Sequence, residues 1–264
     1  MKNLTIGTFN ADCDYSLEKA IYKEKAEFII NQIKENDIEV MAIQHASPLL
    51  ISILEQELFS VDRQICTSKE RVHTKKNLDN IIISNSKMKG YTLRCYLPVW
   101  PTFKELKKNP FHIQKNVVTI DRIMPINNEE INVLNLNCNT PYPTLQDKYL
   151  EEILVDTYIV QELDTIGIGT LNLPEEKLKY LKDKLTEINM QLIPLLGSKK
   201  SQEQIIIPNN WEVDYTESVE SSFHNKRPLV YADLSKKKWF QLSLLLFYSS
   251  TFSTSNSTSI PFKL

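Results

Sequence analysis

The chain has 264 residues, 42% hydrophobic and 24% charged, with 31 basic against 33 acidic side chains and a formal charge of -2. At that length roughly three quarters of the unfolded surface can be buried, and the composition excludes disordered, collagen-like and disulfide-scaffold classes. There is no general positive field to gather phosphates, so nucleic acid is not indicated by net charge and any basic site must be local.

In chain order, Leu4 to Asn10 alternates with the period of a strand and ends on an Asn. Residues 16–35 carry Leu17, Ala20, Ile21, Ala26, Ile29, Ile30 and Ile33 at spacings of three and four, the stripe of an amphipathic helix. Asn36-Asp37 closes that helix, and Ile38 to Ile43 is an apolar run of strand length leading to Gln44-His45. A helix at 48–58 follows, then strands at Ile81–Ile83, Val117–Ile120 and Ile131–Leu136. A helix over 145–160 leads into a strand at Thr165–Asn172, where the Gly167-Ile168-Gly169 pair lacks the rest of a dinucleotide fingerprint and is read as close packing of a buried strand. Pro174 opens a helix to Glu187, and Gln204–Ile207 and Leu229–Leu234 are the last strands. This alternation predicts a layered α/β or α+β domain over residues 1–234.

Residues 235–264 differ, with Lys236-Lys237-Lys238 before an apolar run at 239–248 and a Ser/Thr-rich tail. The run is shorter than the roughly 20 residues of a membrane span. It reads as a final packed element and tail, with a peripheral membrane contact through 236–248 as the other use. The N-terminus lacks the apolar core of a secretory signal. Cys13, Cys66, Cys95 and Cys138 show no metal or redox spacing, so reduced thiols in an intracellular, cytoplasmic or nuclear compartment are expected.

Chemistry in α/β sheets collects where strands stop, so the strand ends are read together. They run Thr8-Phe9-Asn10, Ile43-Gln44-His45, Asn80 to Ser84, Asn135-Leu136-Asn137-Cys138, Gly169-Thr170-Leu171-Asn172, Glu203 to Ile207, and Ser222-Phe223-His224. That series resembles the endonuclease/exonuclease/phosphatase superfamily from about Leu4 to Leu234. The resemblance implies a four-layer αββα sandwich of two packed mixed sheets flanked by helices. It also implies Mg²⁺-dependent hydrolysis of a phosphate ester by the pattern Asn, Gln-Glu, His, Gly-Asp-x-Asn and Ser-Asp-His.

Asn10, Asn172 and His224 match that pattern. His45 stands where the Glu belongs, Asn137 where the His belongs, and Thr170 and Phe223 at the two Asp positions. Mg²⁺ needs carboxylate oxygens and Phe223 accepts no proton, so the expectation is a binding or regulatory pseudoenzyme without a cofactor. It would hold a protein partner or a phosphorylated ligand without turnover. The alternative is an active Mg²⁺-dependent phosphodiesterase, nuclease or phosphatase whose displaced metal ligands are Asp12, Asp14 and Glu203. A zinc site at His45 and His224 is disfavoured because no Cys or carboxylate is assigned beside them. His73, His112 and the paired lysines at 75–76, 107–108 and 199–200 read as solvated surface, and Arg227 is notable only for following His224.

Overall fold

In the computed structural model the described residues are 3–13, 18–58, 63–67, 79–85, 89–96, 102–108, 117–126, 129–138, 142–159, 164–195, 202–221 and 228–237. The first sheet holds β1 (Leu4–Asn10), β2 (Val40–Ala46), β3 (Gln64–Thr67), β4 (Asp79–Ser84), β11 (Trp211–Val219) and β12 (Leu229–Lys236), in the order β11-β12-β1-β2-β4-β3. The second holds β5 (Lys89–Tyr96), β6 (Val117–Ile126), β7 (Glu129–Cys138), β8 (Asp164–Leu171), β9 (Met190–Pro194) and β10 (Glu203–Pro208), in the order β5-β6-β7-β8-β10-β9. Each sheet is mixed on the same plan, with one parallel pair at its centre, β1 with β2 and β7 with β8, and antiparallel neighbours on either side. Helices α1 (Lys19–Glu35) and α4 (Pro143–Ile159) make the two parallel crossovers. The chain is therefore the expected αββα sandwich.

Period-two alternation assigns the faces of each strand. Leu4, Ile6, Val40, Ala42, Ile131, Val133, Ile166, Ile168, Ile205 and Ile207 meet between the sheets. Phe9, Met41 and Ile43 turn the other way, against Tyr22, Ala26, Ile29 and Ile33 of α1 and Leu50 and Leu54 of α2 (Pro48–Leu58). On the far side, Leu134, Leu136 and Ile206 pack with Tyr149 and Ile153 of α4 and Leu181 and Leu185 of α5 (Glu175–Glu187). At Gly169, with φ of 151°, an added Cβ would lie 2.0 Å from the Leu136 carbonyl oxygen, so only glycine lets β8 close on β7 there.

Helix ends follow local chemistry. Glu175 and Glu176 occupy the first turn of α5 and Lys184 its last, matching the helix dipole. Glu105 in α3 (Phe103–Lys108) serves two helices, because Thr102 donates to it from its backbone N–H at 2.7 Å and Thr144 of α4 from its own at 3.0 Å. Burial works against its charge, yet these donors and the two threonine hydroxyls hold its carboxyl down to about 2.

Several elements differ from the sequence reading. The second strand is Val40–Ala46 rather than 38–43, so Gln44 and His45 lie within it. The strand expected to end at Asn172 stops at Leu171. β3, β5, β9, β11 and the short α3 have no counterpart in that reading. β12 extends to Lys236, whose ammonium lies 2.9 Å from Asp164 and over the Trp211 ring, while Lys237 donates to the Asn209 carbonyl. Two of the three lysines read as a basic cluster are thus committed to the fold. No helix among the described residues is long and apolar enough to cross a membrane. Cys13 and Cys138 are buried thiols. The 239–248 run, the Ser/Thr-rich tail, His73, His112 and Lys75-Lys76 lie outside the described residues, as do Lys199, Lys200 and Arg227.

Candidate functional site

The C-terminal ends of β1, β2, β7 and β8 and the N-terminal ends of the antiparallel β4 and β10 lie together at one edge of the sandwich. The inward row that is apolar elsewhere becomes polar here. Gln44 exchanges hydrogen bonds with Thr8 and donates to Asn135 Oδ1 at 2.8 Å. The Asn135 amide then donates across the layer to the Ile43 and Ile81 carbonyls, both at 2.9 Å. One side chain of the second sheet thereby pairs two backbone groups of the first, a fully buried link.

One step further out lie the candidate residues. Register shifts between Ile43 and Ala46, where β2 spends one more residue than β4. This bulge leaves His45 with φ of 53°, a left-handed conformation uncommon for a side-chain-bearing residue, and re-aims it. Its Nδ1 lies 3.2 Å from Asn10 Oδ1. The same oxygen accepts the backbone N–H of Asp12 at 3.1 Å, a local turn contact that fixes which way the Asn10 amide faces. Because that oxygen can only accept, His45 carries a proton on Nδ1. The loop holding Asp12 is anchored in turn. Ala11 N–H donates to the Gln44 carbonyl, Cys13 N–H to the His45 carbonyl, and the buried Lys25 ammonium to the Ala11 carbonyl at 2.6 Å. Burial pushes the Cys13 thiol up, despite Ser47 donors and the nearby Lys25 charge, so it is a packing group here.

Asn137 completes the set. Its backbone N–H donates to the Tyr149 hydroxyl at 2.6 Å, and its amide donates to Asn80 Oδ1 at 2.9 Å. Asn80 Oδ1 also accepts, more loosely at 3.4 Å, the backbone N–H of His45. Thr170 is the register partner of Asn137 in β8, and Glu203 is the partner of Thr170 in β10, so the three share one face. The structure thus unites Asn10, His45 and Asn137 through Asn80 and sets Thr170 and Glu203 beside them. Asn172 donates its backbone N–H to the Cys138 carbonyl at 2.8 Å, next to Asn137. It is exposed, and its Oδ1 accepts from Gln202 at 2.8 Å. Asp12 enters through its backbone, while Asp14, Phe223 and His224 lie outside the described residues. No group of three or more His, Cys, Asp or Glu side chains able to hold a metal occurs among the described residues.

Sequence reasoning missed Asn80 and Asn135 as members of this site. A signal existed for Asn135, since Asn135 and Asn137 recur at period two on the inward face of an otherwise apolar strand. Asn80 had only its place before Ile81, and the bulge that aims His45 had none.

Two six-stranded mixed sheets packed face to face, with helices outside and polar strand ends at one edge, define a DNase I-like sandwich. More particularly, the chain has the fold of the endonuclease/exonuclease/phosphatase superfamily. It superposes on a superfamily member from Bacteroides vulgatus with a TM-score of 0.69 at 11% identity, covering 90% of this chain and 100% of that one. A mannosyl-6-phosphatase from Bacteroides thetaiotaomicron gives a TM-score of 0.67 at 10% identity, covering 88% and 99%. The human Nocturnin catalytic domain with bound sulfate gives 0.63 at 13% identity, covering 89% and 94%. No protein-family model matches the chain, and no curated protein sequence matches it.

Proposed function

We propose that this chain is a binding protein on a phosphoesterase scaffold, without metal-dependent hydrolysis. The observation that carries the reading is the closed Asn10–His45 and Asn80–Asn137 hydrogen-bonding set at the strand ends where the family pattern places its acidic and basic groups. Mg²⁺ asks for six hard oxygen ligands, usually carboxylates and water. The described residues do not fit it. Asn10 turns an N–H inward, His45 offers nitrogen, and Asn137 and Thr170 offer neutral oxygens. Nor does the set supply a base at the position where the resemblance places one. Asn137 replaces the imidazole that the resemblance implies, and a neutral amide cannot accept a proton at useful pH.

Glu203 favours the rival reading, an active hydrolase with displaced ligands Asp12, Asp14 and Glu203, because it brings a buried carboxylate to the position facing Thr170. Calorimetric titration with Mg²⁺, together with phosphodiester and phosphomonoester assays with and without chelator, separates the two. The proposal expects no saturable heat at millimolar Mg²⁺ and no chelator-sensitive turnover. Metal-dependent hydrolysis abolished by Glu203→Gln would overturn it. As a converse, the double variant His45→Glu with Thr170→Asp restores two carboxylates and is expected to gain a Mg²⁺ heat that the parent lacks.

A further inference from the structure

Three buried polar atoms at this edge find no hydrogen-bond partner among the described residues: Asn10 Nδ2, Asn137 Oδ1 and Thr170 Oγ1. All three side chains are at least nine-tenths buried. An unpaired buried polar atom is destabilising, so three at one edge, Asn10 on the first sheet and Asn137 and Thr170 on the second, are a burden that packing alone does not explain.

Their polarity is fixed by backbone rather than by choice of side-chain rotamer. The Asp12 N–H requires Asn10 to keep its oxygen toward the loop, which leaves Nδ2 as a bare donor. The His45 N–H sets the Asn80 oxygen toward β2, Asn80 accepts from Asn137 Nδ2, and Asn137 is left with a bare acceptor. Thr170 adds a hydroxyl that can do either. A carboxylate or a fully ionised phosphate ester, which only accepts, would meet the Asn137 oxygen, and any anion, inorganic phosphate included, would meet the Glu203 carboxylate opposite Thr170. A bare cation would meet the Asn10 N–H. Only an uncharged group with both an acceptor and a donor satisfies the set, and hydroxyls can rotate to suit three unequal partners where a planar amide cannot.

We infer that Asn10, Asn137 and Thr170 form a binding site for a neighbouring pair of hydroxyls on an uncharged sugar or polyol. The inference rests on the non-hydrolytic reading above and names the ligand chemistry of that same site.

Ligand-observed saturation-transfer NMR on the full chain, with D-mannose and D-ribose as uncharged probes, tests it, alongside calorimetry with inorganic phosphate and with Mg²⁺. At least one sugar is expected to show transfer. Thr170→Val, nearly isosteric and removing only the unpaired hydroxyl, and Asn10→Asp, which keeps Oδ1 for Asp12 and His45 but loses the donor, are each expected to weaken that binding about tenfold or more. Thr170→Val is also expected to keep or raise the melting temperature, which separates loss of binding from loss of fold. Absence of transfer from both sugars, meaning that ordered water alone fills the site, overturns the inference. So does sugar binding indifferent to both variants, or phosphate or Mg²⁺ binding that the two variants abolish. Chelator-sensitive hydrolysis with sugar binding retained would remove the functional reading and leave this one. No sugar binding and no hydrolysis would do the reverse.

Discussion

The layer between the sheets has two unlike ends. At one, Leu4, Ile6, Val40, Ile131, Ile166, Ile207, Trp211 and Leu234 interlock without exposure to water, and the Trp211 indole N–H is satisfied by Asp164 at 2.9 Å. At the other, the same strands present Thr8, Gln44, Asn135, Asn10, Asn137 and Thr170, held by directed bonds and carrying three unpaired atoms. The apolar end gains from area alone and tolerates imprecision, whereas the amide end depends on angle and partner count. The comparison separates an end held by packed area from one held by directed bonds. Three buried polar atoms without a partner lie at the polar strand ends, and Asn132 Oδ1 near the start of β7 is another, so such atoms are concentrated at that end but not confined to it.

The difference can be broken from either side. The largest effect is expected at the apolar end, where Trp211→Ala removes the largest fully buried side chain among the described residues and should cost about 3–5 kcal/mol in urea unfolding. At the amide end Asn135→Leu keeps the branching and heavy-atom count of the side chain but strips partners from the Ile43 and Ile81 carbonyls and from Gln44, a loss of about 2–3 kcal/mol. A cost below about 1 kcal/mol would show that this end contributes no directed stability.

Away from both ends, Glu105→Gln weakens the joint cap of α3 and α4 by about 1 kcal/mol at neutral pH. Its folded carboxyl is depressed to about 2 from an ordinary 4.5, so its contribution is present above the ordinary value and is lost as pH falls through about 2. Thermal scans of parent and variant should therefore converge between those pH values, with high salt narrowing the gap. The smallest effect carries the opposite sign. Thr170→Val, which deletes an unpaired hydroxyl, should leave stability unchanged or raise it by up to about 1 kcal/mol. Destabilisation there would mean that the hydroxyl is satisfied within the fold.

Much of this arrangement was legible in the sequence because the same apolar runs that specify strands also mark where they end. Asn10, His45, Asn137 and Thr170 each follow such a run, and the layered fold follows from the alternation of runs with helical stripes. Edge elements were less legible. β11 reads Trp-Glu-Val-Asp-Tyr-Thr-Glu-Ser-Val, its charges suiting a strand paired on one side only, and it carries a bulge between Val213 and Tyr215. At the site, the left-handed turn at His45 and the tie from Asn135 to two carbonyls arise from strand register across the two sheets, which no local pattern encodes.

The strand order has a bearing on biosynthesis. All six strands of the second sheet come from one continuous stretch, residues 89–208, whereas β1 pairs with β12, whose first residue is 229. As the polypeptide leaves the ribosome, β1 must wait with one hydrogen-bonding edge unmet until β12 has emerged, while the other sheet can already assemble. Nascent chains stalled before Leu229 should therefore be the ones that chaperones hold and proteases find.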